Sequence, residues 1–240
     1  MTIFLTILAL LLSESFAAQE HEKHGVRVIF GDQQGAVWIG TDLDGLVRYQ
    51  NGQFTTFTQK DGLAHDAIRG LCQDKDGSLW IGTRGGGLNR FQNGRFTVYT
   101  ERDGLVSNSV QALYLDRENT LWIGTRQVVN RLKDGKFSTY TVNDGLFSNY
   151  VYGFVEDGMG NLWMSCSKGI FRVNKQQLND FADRKIRAIH STAYGLEHGL
   201  SSTVGVVGFS PVASHLTRDG RIWFCTAKGL NVIDPSLVTS

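Results

Sequence analysis

Leu79-Trp80-Ile81-Gly82-Thr83 is one of five versions of a single phrase in this chain. The others are Val37-Trp38-Ile39-Gly40-Thr41, Leu121-Trp122-Ile123-Gly124-Thr125, Leu162-Trp163-Met164-Ser165-Cys166 and Ile222-Trp223-Phe224-Cys225-Thr226. Every tryptophan of the 240 residues falls inside the phrase, at intervals of 42, 42, 41 and 60 residues. A period of that length marks a structural repeat, and the fold must be read from it.

Each phrase is preceded by a tight turn: Asp32 to Gly35, Asp74 to Gly77, Asp116 to Asn119, Asp157 to Gly160 and Thr217 to Gly220. Asp opening a turn and Gly or Asn closing it suits a type I turn whose last residue has positive φ. A second turn and a third strand follow: Gly45 to Tyr49, Gly87 to Phe91, Val128 to Leu132, Gly169 to Val173 and Gly229 to Ile233. Asn51-Gly52, Asn93-Gly94 and Asp134-Gly135 are then strong hairpin signals. They lead into Phe54-x-x-Phe57, Phe96-x-x-Tyr99 and Phe137-x-x-Tyr140. The unit is four antiparallel strands, and its aromatic faces are hidden only when copies pack side by side. The expected fold is all-β, a β-propeller of five four-stranded blades, either an open arc or an incomplete part of a seven-bladed ring. A linear solenoid of hairpins is the alternative.

The Asp-Gly-Leu element (Asp61-Gly62-Leu63, Asp103-Gly104-Leu105, Asp144-Gly145-Leu146 and, in weaker form, Tyr194-Gly195-Leu196) precedes the inner strand. Followed by Asp-x-x-Gly-x-Leu-Trp-Ile-Gly-Thr and Gly-Leu-x-Arg-Phe/Tyr, it resembles the two-component regulator propeller repeat over residues 26 to 235. The resemblance implies an extracytoplasmic sensor propeller, non-catalytic itself, that takes a small polar ligand such as an oligosaccharide or an anion. It also implies signalling through a partner sensor kinase or a C-terminal output module. The chain departs from that family in carrying five repeats, with neither a membrane span after them nor a kinase segment. Its fifth repeat ends without an outer Phe-x-x-Tyr strand, which reads as a truncated or separated sensor. The other functional reading is a propeller lyase or hydrolase with its active site at the central pore.

Residues 1–18 read as a signal peptide, apolar from Ile3 to Leu12 except for Thr6, with Ser15-Phe16-Ala17 as the small-x-small cleavage signal. Residues 19–240 form the propeller, and the expected location is periplasmic or secreted, with no membrane span in the mature chain. The net charge of +1 and the lack of Lys/Arg clusters exclude a nucleic-acid partner. Cys72, Cys166 and Cys225 are too few and too scattered for a disulfide framework and read as small buried side chains. No cofactor or metal is expected, because neither Cys-x-x-Cys nor His-x-His occurs.

In a propeller, the loops from outer strand to next inner strand and the turns between second and third strands share one rim. The first class holds His65, Asn108 and Asn149; the second holds Asp42, Arg84, Arg126, Lys168 and Lys228. The expected ligand-binding set is Arg84, Arg126, Lys168, Lys228, Asn108, Asn149 and His65, offering charge-assisted hydrogen bonds to a polar or anionic ligand. No catalytic residue is assigned. Arg48, Arg90, Arg131 and Arg172 recur on the third strand and are expected to serve the scaffold. Residues 174 to 210 lengthen one junction and read either as a binding insertion or as a cap on a blade edge.

Overall fold

Each tryptophan phrase forms the second strand of a sheet in the computed structural model, which describes residues 25–200, 214–226 and 228–238. Blade one is β1 (Val26–Gly31), β2 (Val37–Thr41), β3 (Leu46–Gln50) and β4 (Gln53–Phe57). Blade two is β5 (Ile68–Gln73), β6 (Leu79–Thr83), β7 (Leu88–Gln92) and β8 (Arg95–Tyr99). Blade three is β9 (Val110–Leu115), β10 (Leu121–Thr125), β11 (Val129–Lys133) and β12 (Lys136–Tyr140). Blade four is β13 (Val151–Glu156), β14 (Asn161–Cys166), β15 (Gly169–Asn174) and β16 (Ser191–Tyr194). Blade five is β17 (Ser214–Leu216), β18 (Ile222–Thr226) and β19 (Gly229–Ile233). All pairings are antiparallel and in chain order, giving the five-blade propeller.

Turn chemistry explains the hairpins. Gly35, Gly77, Gly160 and Gly220 close the first turns at φ between 80° and 84°, and Asn119 does so at 63°. Asn51, Asn93 and Asp134 are left-handed at about 50°, each followed by a left-handed glycine, which is the type I′ geometry. The opening aspartate does more than turn the chain. In blade two, Asp74 Oδ1 accepts the backbone N–H of Asp76 and Ser78, while Oδ2 accepts the indole N–H of Trp80 at 3.0 Å. The same indole bond links Trp38 to Asp32, Trp122 to Asp116 and Trp163 to Asp157. Above three of these indoles lies a third-strand guanidinium: Arg48, Arg90 and Arg172 sit 5.4–5.7 Å from the ring centroids. The repeated arginines are scaffold, as their recurrence implies.

Seams between blades form the core. Trp38 packs with Leu79, Ile81 and Phe91 of blade two, and Trp80 with Leu121, Ile123 and Leu132 of blade three. Trp122 packs with Leu162, Met164 and Phe171, and Trp163 with Ile222, Phe224 and Ile233. Inner strands pack in sequence, β1 on β5, β5 on β9, β9 on β13 and β13 on β17. This crowding explains the glycine of the phrase. A Cβ on Gly82 would stand 2.6 Å from Val110, and one on Gly124 only 2.8 Å from the Val151 carbonyl oxygen.

Trp223 departs from the expectation that every indole is wedged between sheets. It is 36% exposed, against 7% or less for the other four, and blade five has Thr217 where they have the indole-binding aspartate. Among the described residues, blade five does not pack on blade one as neighbouring blades do.

Two details of the fourth junction also differ from the sequence reading. Tyr194 ends the outer strand β16, and Gly195 caps a short 3-10 turn. The counterpart of Asp-Gly-Leu is therefore His198-Gly199-Leu200, one turn later than Tyr194-Gly195-Leu196, because Gly199 takes the left-handed cap position held by Gly62, Gly104 and Gly145. The inserted residues begin with α1 (Lys175–Ala182), which caps the edge: Leu178 is buried in the core and its carbonyl accepts the Tyr140 hydroxyl at 2.9 Å. The stretch from 201 to Gly208, like the signal-peptide assignment, lies outside the described residues. Burial pushes the Cys72 and Cys166 thiols up, away from reactivity. Among the described residues, no helix is long and apolar enough to cross a membrane.

Candidate functional site

Four inner strands share one irregularity at one position. In β1 the pairing with β2 steps from Val26 to Val28, leaving Arg27 without a Cα partner. The same bulge falls at Arg69 in β5, Gln111 in β9 and Tyr152 in β13. A bulge breaks the alternation of faces and re-aims one side chain. Here it frees a polar residue from the blade seams, at the end of each innermost strand and beside the turn between second and third strands.

The turn supplies partners. Asp42 opens that turn in blade one, and its Oδ1 accepts from Arg27 Nε and, at 2.7 Å, from Arg69 Nη1 of the next blade. The side chains are largely covered, at 22% exposed for Arg27, 11% for Arg69 and 23% for Asp42. Hydrogen bonding to Arg27, opposed by burial and reinforced by Arg69, holds the Asp42 carboxyl below the usual carboxylate range. In blade four Ser167 is first in its turn like Asp42, and burial pushes the Tyr152 hydroxyl up. Tyr150 meets Tyr152 edge to face at 4.7 Å. In blade three, the Gln111 amide donates to Ser109 Oγ at 2.9 Å. The rim thus presents guanidinium, amide and phenol groups in succession.

Arg84 and Arg126 occupy the same first turn position as Asp42 in their blades, exposed on this rim. Among the described residues neither has a carboxylate within ion-pair distance. Lys168 and Lys228 are exposed too, but stand one position later. Their N–H groups donate to Cys166 Sγ and Thr226 Oγ1, the place taken by Gln127 in blade three. The expected ring of four equivalent cations therefore reduces to two arginines plus two offset lysines, because in the sequence one more residue, Ser167 or Ala227, separates the phrase from each lysine.

The loop residues divide similarly. Asn108 Oδ1 accepts the Glu101 N–H at 3.1 Å and Asn149 Oδ1 the Val142 N–H at 2.7 Å, as Asp66 does for Gln59. Those oxygens hold the Thr-x-x-Asp-Gly turn. His65 Nδ1 accepts the Ala67 N–H at 2.9 Å, so its other ring nitrogen remains for outside contacts. The imidazole lies over Gly85, next to Arg84, where a Cβ would come to 3.4 Å of the ring. Arg27, Arg69, Gln111 and Tyr152 escaped the sequence reading because single residues inside a strand give no motif. The available signal was a large polar residue recurring at one repeat position of an otherwise apolar inner strand. Among the described residues, no group of three or more His, Cys, Asp or Glu is gathered as a metal site would require.

A repeat β-propeller with a polar, cation-rich mouth is the class that fold and rim define. Residues 62–85, 104–127 and 145–168 match the two component regulator propeller family, the repeat that the sequence resembles. No curated protein is significantly similar to it in sequence. The extracellular domain of a hybrid two component system from B. thetaiotaomicron superposes with a TM-score of 0.75 at 20% identity, over 90% of this chain and 28% of that one. The extracellular domain of a one component system from the same organism gives 0.68 at 22%, over 89% and 30%. Virginiamycin B lyase from Staphylococcus aureus gives 0.67 at 17%, over 90% and 69%. The chain thus spans less than a third of the two extracellular domains, and at these identities the likeness is one of fold.

Proposed function

We propose that this chain is an extracytoplasmic recognition propeller, non-catalytic itself, that binds a polar anionic ligand at the mouth of its axis. The observation that carries this reading is the run of bulged inner-strand residues Arg27, Arg69, Gln111 and Tyr152, flanked by Arg84 and Arg126. Guanidinium groups suit carboxylate or sulfate, Gln111 suits hydroxyls, and the Tyr150–Tyr152 pair offers a face for a sugar ring. An acidic oligosaccharide combines all three. Kinship of the repeats with two component regulators and the likeness to extracellular domains support a sensing role outside the cytoplasm, with a kinase or output module as partner. The lyase reading has weaker support, since the Asp42 carboxylate beside the bulges of β1 and β5 is tied to two arginines.

The test is a thermal-shift comparison of an oligogalacturonate with a neutral maltooligosaccharide of equal length. The acidic sugar is expected to raise Tm in a concentration-dependent way, and the double variant Arg84→Ala/Arg126→Ala to lose most of that rise. Stabilisation by the neutral sugar alone, or a double variant that responds like the parent, would refute the reading.

A further inference from the structure

Arg131 departs from the other third-strand arginines of the first four blades. Strand register puts it opposite Trp122, as Arg48, Arg90 and Arg172 stand opposite Trp38, Trp80 and Trp163. Those three guanidinium groups lie 5.4–5.7 Å from their ring centroids, and Arg90 is also 3.6 Å from Asp74. Among the described residues, Arg131 has neither a ring contact of that kind nor a carboxylate within ion-pair distance. The inserted helix α1 supplies the reason. Its first residue, Lys175, brings Nζ to 3.5 Å from Asp116, the counterpart of Asp74, so another cation serves the carboxylate of this blade.

The arginine set free in this way is nonetheless covered. Arg131 is 6% exposed, and its buried Nε has no hydrogen-bond partner. Beside it stands Tyr140, whose hydroxyl burial pushes up to about 12 against the pull of the arginine's charge. That phenol is neutral and does not balance the cation. A buried guanidinium without a counter-ion is unfavourable, and an anion that reaches it offsets the penalty. Room for one exists. Arg131 lines a cavity of about 580 Å³ between blade three and α1, with Lys133, Lys136 and Ser138 on the strands and Asn179 on the helix. That volume suits a small molecule. Asn179 Oδ1 is likewise buried with no partner. The carboxylates at the cavity are engaged or peripheral. Glu118 is held by Lys175 at 3.0 Å and Lys133 at 3.7 Å, and Asp183 by Lys185 at 3.0 Å. Asp134 lies exposed in the hairpin turn.

We propose that this cavity binds a small hydroxy acid, its carboxylate on Arg131 and a hydroxyl donating to Asn179 Oδ1. The guanidinium offers a planar fork of N–H donors matched to a carboxylate. Asn179 accepts where Arg131 donates, so the pair asks for an acid that also carries a donor. Lys133 and Lys136 add positive charge around it. The site lies on the two outer strands of blade three and on α1, and shares no residue with the mouth of the axis. The insertion thus caps a blade edge and walls a binding site at once.

Isothermal titration of the whole chain with sodium D-gluconate, at matched ionic strength, tests the proposal. Sorbitol serves as the same skeleton without the carboxylate, and inorganic phosphate as an oxyanion without carbon-bound hydroxyls. Saturable one-to-one binding of gluconate is expected, with sorbitol silent and phosphate weaker by about tenfold or more. Arg131→Gln should weaken gluconate binding by about tenfold or more with the circular dichroism unchanged. The Arg84→Ala/Arg126→Ala variant should bind it like the parent. If Arg131→Gln fails to fold, Asn179→Asp, which sets a second carboxylate beside the ligand's own, decides in its place and is expected to weaken binding similarly. Absence of saturable binding, phosphate binding as tight as gluconate, or full affinity in the deciding variant would overturn the proposal. So would loss of binding in Arg84→Ala/Arg126→Ala, since the acid would then sit at the mouth.

Discussion

One carboxylate in each of the first four blades does three jobs, and this is where the repeat is most exposed to a single substitution. Asp74 closes a turn through two backbone N–H groups and satisfies the Trp80 indole, and Arg90 lies 3.6 Å away. Asp74→Ala leaves a buried indole N–H unpartnered and should cost about 2 kcal/mol in urea unfolding. The corresponding Thr217→Ala in blade five, where that bond to tryptophan is not made, should cost under about 1 kcal/mol. At the rim, Asp42 has a folded pKa below its ordinary 3.8, chiefly through Arg27. A depressed carboxyl contributes stability that is present above the unfolded value and is lost as pH falls through the folded one. Asp42→Asn should therefore lower stability by about 1 kcal/mol at pH 7, with the gap closing toward pH 2. Comparing unfolding midpoints of the two proteins across that range checks the sign. Most of this layer was legible in the sequence, because Asp, Gly and Trp recur at fixed spacing and each has one physical use there. The bulge residues were not, since a bulge is a property of paired strands.

At the scale of elements, the seams explain why a phrase keeps its glycine and why one lysine matters. Gly124 faces the Val151 carbonyl so closely that Gly124→Ala must move backbone, and a cost of about 2 kcal/mol is expected from denaturant titration. Gly52→Ala at a hairpin, with nothing within 4 Å of its Cβ, should cost through its φ of 81° alone, about 1 kcal/mol. Lys175, at the start of α1, joins blades three and four: its Nζ lies 2.7 Å from Glu156, 3.0 Å from Glu118 and 3.5 Å from Asp116. Burial opposes its charge, but hydrogen bonds to Glu156 and Glu118 and the charge of Asp116 outweigh that and raise its pKa. Removing the ammonium leaves the buried Glu156 carboxylate without its hydrogen-bonded counter-ion. Lys175→Ala should destabilise by about 3 kcal/mol in the same assay, well beyond Lys185→Ala on the exposed end of this segment. The sequence announced an irregular junction between Val173 and the next strand, but not its meaning. A helix cap and a charge cluster are made by residues from three elements, and no local pattern records that.

At the scale of the whole molecule, five sheets fan about an axis because each hides its indole only against the next, and the fifth has no described successor. The blade count was readable from the five phrases. The rim was read only in part. Loop cations stand out in a sequence, and Arg84 and Arg126 do lie exposed at the first position of their turns. The off-by-one turns of blades four and five set Lys168 and Lys228 aside, and Asn108 and Asn149 proved to be turn caps. The recognition we propose therefore rests on the inner strands, which carry Arg27, Arg69, Gln111 and Tyr152 at their bulges. The most direct test is hydrogen exchange of the backbone with and without saturating oligogalacturonate. Slowed exchange concentrated at residues 26–28, 68–70, 110–112 and 151–153 is predicted; slowing confined to outer strands or to α1, with those four stretches unchanged, would contradict the account.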